Sequence, residues 1–213
     1  MAKQKYYAVR TGKKPGIYLT WEECRNQIIG YSNATYKSFL NEAEAYECLN
    51  NNNNQLTSDL TIDEQVDKLI NENKTVIFTD GSYSKDLNKA SWAFIILRKN
   101  EKTLTGSGLV TNKEFLESRN VAGEVYAVIK TLQYSHQKGF NDLVIFHDYE
   151  GLAKWYDGTW NTNKDISIQY VKAITKYNNL IINFIWVKGH SNVYYNELVD
   201  KLAFSELDKI IKE

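Results

Sequence analysis

The sequence predicts an α/β fold in which a mixed five-stranded sheet is flanked by helices and preceded by a small α/β domain. Continuous apolar runs such as TVIFTD at 75–80 are typical of strands covered on both faces. Three successive strands and then alternating helices and strands, in the order βββαβααβα, indicate a mixed sheet. Five consecutive asparagines at 50–54 interrupt the pattern and indicate a linker. We therefore expect domains at 1–50 and 74–213, joined by a linker at 51–73.

Residues 5–49 are predicted to form the small α/β domain. Thr20 and Glu23 stand three residues apart and form a capping box, which marks the start of a helix. Asn41 is the expected cap of a second helix. The expected elements are strands at 6–12 and 16–20, a helix from 21, a strand at 36–40 and a helix from 42. A short acidic helix is also expected at 61–72, within the linker.

The remaining chain has a regular pattern of strands and helices. Between 121 and 138, valine and leucine residues recur at helical spacing. Because a helix connects the third strand to the fourth, the strands at 75–80 and 142–148 are expected to be parallel neighbours. The expected elements are strands at 75–80, 91–98 and 103–110, a helix at 121–138, a strand at 142–148, helices at 150–156 and 165–177, a strand at 181–188 and a helix at 194–211.

The composition excludes several classes of protein. Of the 213 residues, 43% are hydrophobic and 24% are charged, so a packed core is expected and disorder of the whole chain is not. Two cysteines are too few for a disulfide framework or a four-cysteine zinc site. No apolar run approaches the roughly 20 residues of a membrane span, and the N-terminus lacks the apolar core of a signal peptide. We expect a soluble, cytoplasmic protein with no membrane partner and no evident obligate protein partner.

The formal net charge of zero hides a segregation of charge along the chain. Residues 1–37 carry seven basic and two acidic side chains, a net charge of +5, whereas residues 38–74 carry a net charge of −6. The basic segment is also rich in tyrosine and tryptophan. Basic groups neutralise phosphates and aromatic rings stack on bases or sugars, so this combination indicates nucleic-acid binding. A solvated lysine face beside a small aromatic core is an equally open alternative.

Four carboxylates stand at unusual places in the predicted fold. Asp80 and Asp148 each end an apolar strand, and Glu124 and Asp200 lie at the edges of the apolar stripes of two helices. Each alone can be explained as a turn cap or a solvated edge position. Gathered at the carboxyl end of the sheet, they would repel one another unless cations neutralised them. Oxygen ligands without a cysteine or histidine cluster suit Mg²⁺ or Mn²⁺, and a carboxylate-bound pair of such ions is typical of displacement at phosphorus.

The motifs resemble those of type-1 ribonuclease H. The similarity covers most of 75–211 and depends on TDGS at 79–82, on Glu124, on Asp148 and on VKGHSNVYYNELVD at 187–200. It implies an endoribonuclease that hydrolyses the RNA strand of an RNA/DNA hybrid, leaving a 5′-phosphate and a 3′-hydroxyl. The implied cofactor is Mg²⁺, two ions per site, with Mn²⁺ as a possible substitute.

The same resemblance implies roles for individual catalytic residues. Asp80, Glu124, Asp148 and Asp200 would bind the metal ions. His190 matches a loop histidine that assists proton transfer or product release. The family usually has serine after the strand-terminal aspartate, whereas this chain has Tyr149.

Four further residues match nucleic-acid contacts of the family. Asn120 matches a contact to the RNA 2′-hydroxyl, the group that distinguishes RNA from DNA. Asn196 matches a residue near the attacked phosphate, and Arg119 occupies a position of the DNA-phosphate pocket. Trp155 resembles the tryptophan that lines the groove for the DNA strand. Helix capping by Asn120 and core packing of Trp155 are the simpler alternatives.

The N-terminal segment resembles the hybrid-binding domain of the caulimovirus type that precedes many such nucleases. The similar stretches are YYAVRTGKKPGIYLTWEEC and ATYKSF. The resemblance implies that Trp21 and Tyr36 lie against the DNA strand and that Lys37 contacts a phosphate. A second lysine often follows, but this chain has Ser38.

Two other functions remain open from the sequence, and a third, weaker interpretation treats residues 1–49 as a protein-interaction module. The first is a hybrid-binding protein with an inactive nuclease fold, against which the intact acids argue. The second is an enzyme of the integrase or resolvase type that acts on DNA. The N-terminal domain and Asn120 favour an RNA/DNA hybrid as the substrate over duplex DNA.

Overall fold

The chain folds into two compact units, Met1–Leu60 and Thr61–Glu213. The computed structural model describes residues 4–29, 31, 34–50, 60–189 and 193–212. None of the helices in these described stretches is long and apolar enough to cross a membrane.

The first unit is a three-stranded antiparallel sheet covered by two helices. Its sheet has the order β2-β1-β3. Its elements are β1 (Tyr6–Thr11), β2 (Gly16–Tyr18), α1 (Trp21–Ile28), β3 (Thr35–Phe39) and α2 (Glu42–Asn50). The capping box is confirmed, because the Thr20 hydroxyl accepts the amide of Glu23 at 3.2 Å and the Glu23 carboxylate accepts the amide of Thr20 at 3.1 Å. The strand predicted at 16–20 ends earlier because Thr20 caps the helix instead of pairing.

The second unit begins with a helix that the sequence analysis predicted within the linker. Helix α3 (Ile62–Asn71) buries Val66 in a core cluster on one face of the sheet, with Ile62, Leu69 and Ile70 packed against it. Residues 51–59 lie outside the described residues. The division between the two units falls after residue 60, so α3 packs as part of the second unit.

A mixed five-stranded sheet flanked by helices forms the rest of the second unit, which confirms the predicted fold class. The sheet order is β6-β5-β4-β7-β8. The three strands β4, β5 and β6 are antiparallel, whereas β4, β7 and β8 are parallel. The elements are β4 (Thr75–Ser84), β5 (Lys89–Leu97), β6 (Leu104–Leu109), α4 (Lys113–Leu116), α5 (Asn120–Lys138), β7 (Asp142–His147), α6 (Gly151–Tyr156), α7 (Asp165–Ile174), β8 (Ile181–Trp186) and α8 (Tyr194–Ile211).

Both faces of the sheet are covered, which explains the continuous apolar run of the central strand. Along β4, Ile77 points into the cluster that contains residues of α5 and α7, whereas Val76 and Phe78 point into the cluster with residues of α3 and α8. Side chains alternate between the two faces of a strand, so a strand buried on both faces needs apolar residues at successive positions.

The structure corrects the prediction that Asp80 ends its strand. The parallel pairing of β4 with β7 stops at Phe78 and Phe146, but the antiparallel pairing with β5 continues to Ser84. At Asp80 the central strand is therefore still paired with β5 but no longer with β7. Asp148 directly follows the last residue of β7, so both aspartates lie at the same edge of the sheet.

Candidate functional site

Two glycines bring the central strand into backbone contact with helix α5. A Cβ atom built on Gly81 would lie 2.2 Å from the amide nitrogen of Glu124, and one built on Gly123 would lie 2.3 Å from the carbonyl oxygen of Ser91. Real Cβ atoms do not approach other atoms this closely. Since Asp80 precedes one glycine and Glu124 follows the other, the contact sets the two carboxylates side by side.

Three carboxylates converge at the edge of the sheet. Ligand oxygens of Asp80, Glu124 and Asp148 all lie within 4.8 Å of one another. Asp80 and Glu124 are each only 6% exposed. All three line a pocket of about 400 Å³, and Asp200 lines the same pocket. The described part of the chain thus brings the four predicted carboxylates to one place, with Asp200 outside the group of three.

Burial and mutual repulsion favour the protonated forms of this cluster. Desolvation raises the pKa of Asp80 to about 7, and the charges of Asp148 and Asp200 act in the same direction. Burial also raises the pKa of Glu124 well above its usual range, with further contributions from the charges of Asp80 and Asp148. A hydrogen bond joins the Asp80 and Glu124 side chains. In the absence of cations the pair therefore holds a proton at neutral pH.

The donor set fits a hard divalent cation. Oε2 of Glu124 is buried and has no hydrogen-bond partner among the residues that the structure describes, so this oxygen is available as a ligand. Carboxylate oxygens are the ligands that Mg²⁺ and Mn²⁺ prefer. Burial is the main cause of the raised pKa values of the two acids, and a cation would neutralise the repulsion that adds to it.

Two asparagine side chains line the same pocket. Asn120 is the first residue of α5, one turn before Glu124, and is exposed. Asn196 lies in the first turn of α8, one turn before Asp200, and is only 4% exposed. Both amides are placed to donate to an oxygen that enters the pocket.

A second, larger pocket of about 910 Å³ adjoins the first, since Val121 and Tyr149 line both. Arg119 and Trp155 line it, as does Trp160, which the sequence reading did not single out. Trp155 is 8% exposed and belongs to the core, so it packs in the core and also lines the pocket. Arg119 immediately precedes α5 with φ of 52°, a conformation that non-glycine residues adopt rarely.

Tyr149 forms the wall between the two pockets and was noted in the sequence only as a departure from the family. It lines both pockets, and its ring packs edge-on against Trp155 with 5.5 Å between the ring centroids. Burial raises the pKa of its phenol, and the charge of Glu124 adds to the effect. Its position directly after Asp148 was the available signal for a role in the site.

An aromatic cluster marks the first unit. The rings of Tyr7 and Trp21 have centroids 5.9 Å apart, and those of Trp21 and Tyr36 are 5.3 Å apart. Trp21 is 44% exposed although it is the largest of the three. Lys37 is exposed, with its ammonium 5.6 Å from the ring centroid of Phe39. Sequence reasoning identified Trp21, Tyr36 and Lys37 but missed Tyr7, whose place beside Trp21 follows from the sheet.

One predicted residue cannot be placed. His190 lies outside the described residues, which resume at Val193.

Comparison with known proteins adds two family matches. Residues 5–48 match the family described as the ribonuclease H1 N-terminal domain, and residues 72–208 match the RNase H family. The second match alone covers more than half of the chain. The order of the two matches agrees with the order of the two units.

Individual relatives show the same similarity. Human ribonuclease H1 is 23% identical, with 93% of this chain and 87% of the human protein covered. Among solved structures, RNase H1 from Halobacterium salinarum NRC-1 superposes with a TM-score of 0.53 at 20% identity, covering 64% of this chain and 98% of the other. LC11-RNase H1, solved in complex with an RNA/DNA hybrid, superposes with a TM-score of 0.50 at 19% identity, covering 63% and 99%.

Proposed function

The chain belongs to the ribonuclease H family, and from this premise we propose how its residues act on an RNA/DNA hybrid. The protein is a metal-dependent endoribonuclease that hydrolyses the RNA strand of such hybrids, with a 5′-phosphate and a 3′-hydroxyl as the expected ends. The observation that carries the residue assignment is the convergence of Asp80, Glu124 and Asp148 within 4.8 Å at the edge of the sheet.

Asp80, Glu124, Asp148 and Asp200 would hold two Mg²⁺ ions, with Mn²⁺ as a substitute. When bound, such ions activate the attacking water and stabilise the charge of the leaving oxygen. The protein contributes the charge and the rigidity of the site, because Asp80 and Glu124 are buried and fixed on a strand and a helix in backbone contact.

The carboxylate pair also sets the pH dependence of ion binding. The proton that Asp80 and Glu124 hold has to leave before both carboxylates can act as ligands. Since the pKa of Asp80 is raised to about 7, the affinity for Mg²⁺ should rise as the pH increases through this value.

Two amides in the pocket are suited to contact the RNA strand. Asn120 is exposed beside Glu124, and its side chain can hydrogen-bond a ribose 2′-hydroxyl, which DNA lacks. Asn196 is buried beside Asp200, and its amide can donate to the oxygens of the phosphate that is cut. His190, which lies outside the described residues, would assist proton transfer or product release.

The adjoining pocket is suited to the DNA strand. Arg119 offers a guanidinium that can bind a phosphate, and Trp155 offers an aromatic edge against which a sugar can pack. This assignment leaves Tyr149 between the two strands of the hybrid.

The N-terminal domain, residues 1–50, would bind the same hybrid through Trp21, Tyr36 and Lys37. A weak second site joined by residues 51–60 to the catalytic unit, which begins at Thr61, raises the local concentration of substrate. A cytoplasmic location is also part of the proposal.

Strand-specific cleavage tests the proposed function. A hybrid with different labels on its RNA and DNA strands is incubated with the protein, with and without Mg²⁺, beside duplex DNA of the same sequence. We expect cleavage of the RNA strand alone, and only with the metal. Failure to cut would indicate a binding protein with an inactive fold, and cleavage of duplex DNA would indicate an enzyme of the integrase or resolvase type.

A further inference from the structure

Three consecutive backbone carbonyls around Asp148 each accept a hydrogen bond. The carbonyl of His147 accepts the amide of Val187 at 2.8 Å. The carbonyl of Asp148 accepts the indole N–H of Trp186 at 2.9 Å. The carbonyl of Tyr149 accepts the Nδ1–H of the buried His147 at 3.0 Å. Strand β8 and its continuation thus restrain the backbone that carries this carboxylate.

In the bond from Trp186, a side chain of β8 reaches past the end of β7 to the backbone of Asp148. The last register pair between β7 and β8 joins His147 to Trp186, and Asp148 is the residue that follows this pair at the end of β7. The indole N–H donates to the backbone carbonyl at this position. Gly189 lies beside the same residue, since a Cβ atom built on it would be 2.9 Å from Oδ2 of Asp148.

Burial alone does not explain a tryptophan at this position. Trp186 is 50% exposed, so a large part of this residue stays in contact with water. Its single polar atom is the indole nitrogen, which is directed at the Asp148 carbonyl. The specific interaction of this residue is therefore with the backbone of Asp148.

Repulsion between the carboxylates of the site makes this restraint important for the position of Asp148. Asp148 lies close to two buried acids and stands just after the strand, where the backbone can turn away from them. Ligands of a metal site need outer contacts that fix their orientation, and loss of such contacts weakens metal affinity. A donor on β8 that holds the Asp148 carbonyl opposes the movement of the carboxylate out of the cluster.

We propose that Trp186 is a positioning residue that holds Asp148 for metal binding through its indole N–H. The proposal rests on the proposed function, since it concerns the same carboxylate site. It requires no contact between Trp186 and the metal or the nucleic acid.

The test compares two tryptophan-to-phenylalanine variants. Trp186→Phe keeps an aromatic ring but removes the N–H. Trp92→Phe is the matched control, because the Trp92 indole also donates to a backbone carbonyl, that of Leu109 at 3.2 Å, outside the pocket. Binding of Mn²⁺ to the protein without substrate is followed by the loss of the electron paramagnetic resonance signal of free Mn²⁺.

We expect the Mn²⁺ dissociation constant of Trp186→Phe to rise about threefold to tenfold, the effect of losing one hydrogen bond. The control should stay within about twofold of the wild type. With Mg²⁺ and the hybrid, kcat of Trp186→Phe should fall while KM and metal-free hybrid affinity stay unchanged.

Three outcomes would overturn the proposal. The first is unchanged Mn²⁺ affinity in Trp186→Phe, and the second is an equal loss in both variants, which would indicate general destabilisation. The third is a loss of hybrid affinity without a loss of metal affinity, which would make the exposed ring a nucleic-acid contact. The Mn²⁺ measurement is independent of cleavage, so a wild-type protein that failed to cut hybrids would contradict the proposed function without deciding this comparison.

Discussion

The Cα atom of Gly123 lies 2.6 Å from the position that a Cβ atom on Gly81 would occupy. Strand β4 and helix α5 therefore meet backbone to backbone at the one point where each carries a buried carboxylate. The distance between Asp80 and Glu124 is set by this contact rather than by the flexible ends of their side chains.

Replacement of Gly123 by alanine tests this relationship. Alanine is the better helix former, but its methyl group would lie 2.3 Å from the carbonyl oxygen of Ser91, so the helix has to move. We expect the free energy of unfolding to fall by about 1–3 kcal/mol, with a loss of kcat. Urea denaturation and steady-state kinetics measure the two effects.

Gly16→Ala is the matched control, because its added methyl group would meet only ordinary contacts, the nearest at 3.6 Å. Equal stability and activity of Gly123→Ala and the wild type would show that the contact is not needed.

The raised pKa values of the buried acids predict an unusual dependence of stability on pH without metal. The pKa of Asp80 is about 7 in the folded protein and near 3.8 in the unfolded chain, so the folded state binds more protons between these values. The stability that this residue contributes is therefore lost as the pH rises through 7. Burial lowers the pKa of His147 to about 4, which acts in the opposite direction below its ordinary value of 6.5.

Above pH 6.5 the carboxylate effect is the larger of these two. In EDTA at pH 8, Asp80→Asn should raise the free energy of unfolding by about 1–3 kcal/mol, because it removes a buried charge. The same variant should lose about a hundredfold or more in kcat with Mg²⁺. Urea denaturation at pH 5 and pH 8 measures the first effect, and a variant no more stable than the wild type at pH 8 would argue against the repulsion described here.

Helix α3 should contribute to the stability of the catalytic unit. Val66 is 2% exposed in a core cluster with residues of the sheet and α8. Val66→Ala should lower the free energy of unfolding by about 1–3 kcal/mol, whereas the exposed Asp67→Ala should have little effect. Thermal denaturation of the full chain compares the two variants. Identical melting temperatures would show that α3 does not contribute to the stability of the catalytic unit.

The exposed ring of Trp21 should contribute to hybrid binding without affecting the chemical step. Loss of one stacking contact predicts that Trp21→Ala weakens binding by roughly fivefold to a hundredfold, with kcat unchanged at saturating substrate. Tyr46→Ala is the control, since Tyr46 is a 51% exposed aromatic residue on α2. Fluorescence anisotropy with a labelled hybrid measures both, and equal affinities of the two variants would contradict a binding role for Trp21.

Most of the fold could be predicted because its signals are local. Apolar runs marked the strands, and a capping box marked the start of α1 at its observed position. Helix α4 was missed because four residues are too few to show periodicity. The continuation of β4 to Ser84 was missed because its pairing with β5 persists after the apolar run ends.

The site was predictable to the extent that its residues carry charge. Asp80 and Asp148 stand out because each is an acid at the end of an apolar run of the sequence. The roles of Gly123 and Trp186 could not be read from the sequence, because each depends on an atom brought near by a different element of the fold. Tyr149 stood out in the sequence, but its place between two pockets follows only from the structure.

Isothermal titration of Mg²⁺ into the substrate-free protein tests the central claim most directly, that carboxylates from separate elements form one metal site. The wild type is compared with Glu124→Gln and Asp148→Asn, which keep the shape of each side chain and remove its charge. We predict measurable binding to the wild type and an affinity at least about tenfold lower in each variant. Unchanged Mg²⁺ affinity in either variant would contradict the account.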